Sequence, residues 1–179
     1  MSSVWAHTLA LAPHPAAAAP ASFAIETRVS RQAEVLTLAY TLAGDLAQVR
    51  LPSPCPGHRG EGLWRHTCFE AFVAPDPGPA YLELNFSPSG EWASLAFTGY
   101  REGGAADDSA VPAMTVARGE RRVAVDASLS LPQLAGGAPA RLALAAVVEA
   151  PDGGLTYWAL AHPAGRPDFH HPSAFTLRI

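Results

Sequence analysis

Leu63-Trp64-Arg65-His66-Thr67-Cys68-Phe69-Glu70-Ala71-Phe72-Val73 and, after a Pro/Gly loop, Tyr81-Leu82-Glu83-Leu84-Asn85-Phe86-Ser87-Pro88-Ser89-Gly90-Glu91-Trp92 decide the fold. Residues two apart in a strand share a face. Thr67, Phe69, Ala71 and Val73 form one apolar set, and Leu82, Leu84 and Phe86 form another. Trp64, His66, Cys68 and Glu70 then point the opposite way, as do Tyr81, Glu83, Asn85 and Ser87. If the two strands are neighbours, His66, Glu70, Glu83 and Asn85 line one surface. Carboxylates on a half-buried sheet face are costly without partners, so this face reads as a polar-ligand groove. Trp92 depends on the turn before it. A two-residue loop puts Trp92 opposite Asn85 on the polar face. A three-residue loop with Gly90 left-handed slips the register by one and puts Trp92 opposite Phe86 in the core.

The rest of the chain carries the same kind of signal. Alternating or β-rich runs at Phe23 to Val29, Val35 to Leu42, Trp92 to Tyr100, Ala113 to Ala117, Arg122 to Leu129, Arg141 to Glu149, Leu155 to His162 and Phe175 to Ile179 are separated by Gly and Pro clusters. Helical periodicity is missing except for a short piece near Leu129 to Ala135. Gly103 to Ser109 reads as a loop. Many short strands with turns between them predict an all-β antiparallel sandwich, of jelly-roll or immunoglobulin-like type. The 179 residues fit a single domain, with residues 1–21 as an N-terminal arm ending in an Ala/Pro linker. That arm has no basic start, and His7, Pro13, His14 and Pro15 interrupt its apolar run, so a signal peptide is not expected and a cytoplasmic address is.

A net charge of −4, with all twelve basic residues arginine, gives no footprint for nucleic acid or an anionic membrane. No apolar run is long enough for a transmembrane helix. Cys55 and Cys68 read as free thiols, with a bridge as the alternative. Trp158 reads as a core residue.

The runs Leu63 to Glu70, Tyr81 to Trp92, Gly99-Tyr100-Arg101-Glu102-Gly103, Tyr157 to Pro163 and Pro167-Asp168-Phe169-His170-His171-Pro172 resemble DOMON-like bacterial proteins. That group is related to family-nine carbohydrate-binding modules and to DOMON domains that bind haem or sugars. The resemblance implies a β-sandwich with a ligand face. In sugar-binding relatives a saccharide is held between tryptophans while acid, amide and arginine side chains bond its hydroxyls. Carried onto this chain, that implies Trp64 and Trp92 for stacking, Glu70, Glu83, Asn85 and Arg101 for hydroxyls, and His66 and His162 beside them. The expected role is non-catalytic binding of a sugar or sugar-containing small molecule, with no cofactor.

Two alternatives remain at this level. Glu70 and Glu83 are the residue types of a glycosidase acid/base pair. In haem-binding relatives Met and His ligate iron, which implies Met114 and His162 here. His66 and Glu70 with His162 or His170 contain zinc-ligand types but no ligand spacing, so no metal is expected. Asp168 reads as an Asx turn residue bonding backbone amides, or as part of the groove rim.

Overall fold

The computed structural model describes residues 5–16 and 22–179. They form twelve strands, all paired antiparallel, and four short 3-10 turns. The strands are β1 Trp5–Pro13, β2 Phe23–Gln32, β3 Val35–Gly44, β4 Cys68–Pro75, β5 Tyr81–Phe86, β6 Trp92–Gly99, β7 Glu102–Ala106, β8 Ala113–Arg118, β9 Arg122–Ser130, β10 Ala140–Glu149, β11 Leu155–Ala159 and β12 Leu177–Arg178. Their order is β7-β6-β5-β4-β10-β11-β1-β2-β3-β9-β8, with β12 on β10. This is the expected all-β sandwich.

β1 connects the two layers. Residues Trp5 to Leu11 pair with β2, whereas Ala12 and Pro13 pair with Ala159 and Trp158 of β11. The strand path therefore folds over at β1, and β3 faces β4 across the core. The Tyr40 and Phe69 rings stack at 5.0 Å across that interface. The core joins Ile25, Leu38, Leu42 and Val125 of one layer to Phe69, Leu84, Phe86 and Leu144 of the other.

The two layers differ in how many faces they bury. β2 and β3 alternate buried and exposed, so their outer face meets solvent. β4, β5 and β10 are buried on both faces for almost their whole length. In β10 this matches a near-continuous apolar run, Leu142-Ala143-Leu144-Ala145-Ala146-Val147-Val148. The outer face of β4, β5 and β10 is covered by the chain's own C-terminal segment. Phe169, Ala174 and Phe175 pack there with Phe72, Tyr81, Ala143 and Ala145. The alanines of β10 leave the room those rings occupy.

Several sequence expectations are corrected. Residues 5–13 are a strand rather than an arm, because their backbone is held by β2 and β11. The expected linker at Ala16 to Ala21 lies, beyond Ala16, outside the described residues. Glu102–Ala106 is an edge strand on β6 rather than part of a loop. The stretch read as helix continues β9 to Ser130 and then makes a 3-10 turn at Pro132–Gly137. The strand expected from Leu155 to His162 ends at Ala159, and the closing strand shrinks to Leu177–Arg178 behind a 3-10 turn at Pro172–Ala174. Cys55 and Cys68 are free thiols. Trp158 is in the core, against Phe23. No helix among the described residues is long and apolar enough to cross a membrane.

Candidate functional site

A cavity of about 600 Å³ opens on the outer face of β4, β5 and β6, between that sheet and the C-terminal segment. Its floor is set by strand parity. Glu70 on β4 pairs with Asn85 on β5, and Glu83 pairs with Phe72, so both carboxyls point to the same face. Both are buried, at 3% and 4% exposure. Asn85 lies behind Glu83 and donates Nδ2–H to Glu83 Oε1 at 2.8 Å. The Cys68 thiol donates to Asn85 Oδ1 at 3.7 Å. Glu70 Oε1 has no hydrogen-bond partner among the described residues. Burial, reinforced by the nearby Glu83, pushes the Glu70 carboxyl well above the ordinary carboxylate range. Burial also raises Glu83, with the Asn85 hydrogen bond and the Arg101 charge pulling back.

His170 closes this floor from the C-terminal segment. Its Nε2 lies 3.5 Å from Glu83 Oε2, and its Nδ1 is 2.7 Å from the Tyr81 hydroxyl. That hydroxyl also accepts the backbone N–H of Arg101 at 3.2 Å. The set is satisfied when Tyr81 gives its proton to Nδ1 and Nε2–H points at Glu83. Burial, helped by the Arg101 charge, lowers His170 to about 4, so the ring is neutral at pH 7.

The rim is an ion-pair cluster. Asp168 Oδ1 accepts from an Arg101 Nη2–H at 2.8 Å and from the His170 backbone N–H at 3.1 Å, and Oδ2 accepts from the Tyr100 hydroxyl at 2.5 Å. Burial alone would raise Asp168. The hydrogen bonds from Tyr100 and Arg101 outweigh it and hold the carboxylate below its usual value. Arg101 has φ of 56°, in the left-handed region. That conformation costs a non-glycine residue about 1 kcal/mol, and the tight β6–β7 turn together with the Asp168 contact holds it. Asp168 thus makes both the Asx turn and the rim contact.

The walls are aromatic and apolar: Phe97, stacked on Tyr81 at 4.8 Å, with Tyr157, Phe169, Leu95 and Trp64. Trp64 comes from the 3-10 turn Leu63–Arg65 and is 39% exposed. Trp64, Arg65, Leu95 and Gly104 also line a second cavity of about 520 Å³ beside Arg59. The lining can bond hydroxyls at the floor and rim and present flat rings to an apolar face.

Of the residues singled out in the sequence, Trp64, Glu70, Glu83 and Arg101 line the cavity, and Asn85 supports Glu83 from behind. Three lie elsewhere. His66 turns away and bonds Glu149 at 2.8 Å, in a surface cluster with Arg50. The 3-10 turn ends at His66 and β4 begins only at Cys68, so strand parity does not reach back that far. Trp92 pairs with Phe86 and packs on the main core. The turn is the three-residue alternative, with Ser87 N–H bonded to Glu91 at 2.9 Å and Gly90 at φ of 107°. The outer side of Trp92 carries the Arg59 guanidinium, 4.6 Å from the ring centroid. His162 bonds the Ala12 carbonyl at 2.8 Å and packs edge-on to His14, outside the cavity lining. Met114 lies in β8 of the other layer, packed against the core. The structure therefore does not bring the expected iron ligands together.

Sequence reasoning missed Tyr81 and His170 as parts of the site. Tyr81 was legible, since it shares parity with Glu83 and Asn85. His170 was not, because its approach depends on how the C-terminal segment packs.

No protein-family model matches the chain, and no curated protein matches it. Solved structures share its fold. A candidate carbohydrate-binding protein from Bacteroides uniformis ATCC 8492 aligns over 96% of this chain and 84% of its own, with a TM-score of 0.68 and 15% identity. A family 9 carbohydrate-binding module from Caldicellulosiruptor kristjanssonii, in complex with cellotriose, aligns over 83% of this chain and 70% of its own, at a TM-score of 0.55 and 9% identity. The module from that organism in complex with glucose covers 83% and 72%, at 0.57 and 9%. The chain has the β-sandwich fold of these modules.

Proposed function

We propose that this protein is a non-catalytic binding module for a sugar or sugar-containing small molecule, held in the cavity over β4, β5 and β6. One observation carries the reading: two buried carboxyls and a neutral histidine converge on a floor walled by aromatic rings. Such a floor offers donors and acceptors to hydroxyls, and the rings suit the C–H face of a pyranose. The fold shared with modules solved in complex with cellotriose and glucose supports the same ligand class, and so does the sequence likeness to DOMON-like proteins. A cytosolic location would favour a soluble sugar or sugar nucleotide over a polysaccharide. The adjoining second cavity gives a substituent room to extend.

Thermal shift against mono-, di- and amino sugars and sugar nucleotides tests the reading. A ligand at 100 times its Kd stabilises by about 2.7 kcal/mol, which is roughly 5–10 °C in a domain of this size. Trp64→Ala and Glu83→Gln should abolish the shift. Trp64 is too exposed for its loss to move the unliganded midpoint much. A panel in which no saccharide shifts the protein would overturn the proposal.

A further inference from the structure

The loop that precedes the Trp64 turn runs beside the β5–β6 turn, and three metal-ligand side chains meet there. Cys55, His58 and Glu91 each offer a donor atom, and all three atoms lie within 4.8 Å of one another. We propose that Cys55 Sγ, His58 Nε2 and Glu91 Oε1 form a binding site for a zinc-class divalent cation, with solvent completing the coordination. This inference is independent of the sugar-binding reading.

Several features support a built site rather than a chance ion pair. Cys55-Pro56-Gly57-His58 has the close Cys/His spacing of a metal knuckle, and a thiolate, imidazole and carboxylate together suit borderline-soft zinc. His58 Nδ1 lies 2.6 Å from the Pro56 carbonyl. A carbonyl can only accept, so Nδ1 carries the proton and Nε2 presents its lone pair, the orientation that ligating histidines adopt. Nε2 already lies 3.4 Å from Glu91 Oε1. Two such ligands on tetrahedral zinc would be about 3.3 Å apart. The other Glu91 oxygen accepts from the buried Ser89 hydroxyl at 2.9 Å, which orients the carboxylate. The two segments are also tied together by backbone bonds, from Cys55 N–H to Ser89 at 2.9 Å and from Trp92 N–H to His58 at 3.1 Å. A Cβ on Gly90 would lie a tight 3.0 Å from the Cys55 carbonyl oxygen.

His58 is exposed, Cys55 half-buried and Glu91 partly open, so an ion can reach the site. Ligation releases the thiol proton to solvent, and donor atoms no more than 4.8 Å apart need to close by at most about 1 Å to share one zinc ion. The ion would clip the 55–60 loop to the β5–β6 turn.

The test is a cobalt(II) titration of tag-free protein reduced with a phosphine, followed by zinc displacement. One equivalent should bind, with a near-ultraviolet thiolate-to-cobalt charge-transfer band that zinc removes. Cys55→Ser should lose the band, and His58→Ala and Glu91→Gln should weaken binding at least tenfold. Zinc should raise the melting midpoint of the parent and leave that of Cys55→Ser unchanged. The parent's spectrum and stoichiometry decide the matter even if a variant fails to fold. Absence of the thiolate band in the parent, or its survival in Cys55→Ser, would overturn the proposal.

Discussion

Replacing Glu70 by Gln should make the protein more stable at pH 8 and leave it nearly unchanged near pH 4.5. Glu70 is 3% exposed, one of its oxygens has no partner, and Glu83 lies on the adjacent strand. Its folded carboxyl is raised well above the ordinary value of 4.5. The unfolded chain therefore releases this proton first. Between the ordinary value and the raised one the folded state holds more protons, so stability falls as pH rises, by about 1.4 kcal/mol per pH unit for a single group. Below the ordinary value both states are protonated and the loss disappears. Glutamine keeps the shape and has no charge to lose. The variant escapes that loss, so a gain of at least about 1.4 kcal/mol at pH 8, the equivalent of one pH unit, or roughly 3–6 °C in melting midpoint, is expected. Melting parent and variant together at pH 4.5 and pH 8 cancels the titration of groups remote from Glu70 and leaves that of Glu70 and its immediate neighbours. A variant less stable than the parent at pH 8 would refute the reasoning. So would a difference that is the same at both pH values, since Glu70 would then be a normally titrating or well-partnered carboxylate.

Other perturbations test other parts of the fold. His170 is held at about 4, below its ordinary 6.5, so the parent loses stability as pH falls from 6.5 towards 4. His170→Gln should reduce that acid loss by about 1–2 kcal/mol, a figure discounted for partial solvent access, and urea melts at pH 4.5 and 7 would show it. Tyr40→Phe removes the buried hydroxyl that donates to the Glu70 carbonyl at 2.7 Å. It should cost about 1–2 kcal/mol by denaturant unfolding without altering sugar binding. The Arg31 guanidinium, almost fully buried, donates to the carbonyls of Ala33, Ala138 and Leu134 at 2.7–2.8 Å. Arg31→Met strands those carbonyls and should cost about 3 kcal/mol. A loss below 1 kcal/mol would mean that water replaces the guanidinium.

The strands, their inner faces and part of the cavity floor were legible in the sequence, because a two-residue period is imposed by backbone geometry wherever one face is buried. Phe69, Ala71 and Val73 had to face Leu82, Leu84 and Phe86 inward, so Glu70, Glu83 and Asn85 had to share the outer face. Tertiary structure decided what that face became. The Phe169 to Phe175 segment folds over it and brings His170, which is distant in sequence, against Glu83, turning an expected open groove into a walled cavity. It also decided where parity stops. The turn at Leu63–Arg65 sends His66 to Glu149, and Gly90 puts Trp92 on the core. Alternation is a local steric property that a short window of residues reveals. Register across a turn and the docking of a distant segment depend on packing free energies summed over many contacts, and no single window contains them.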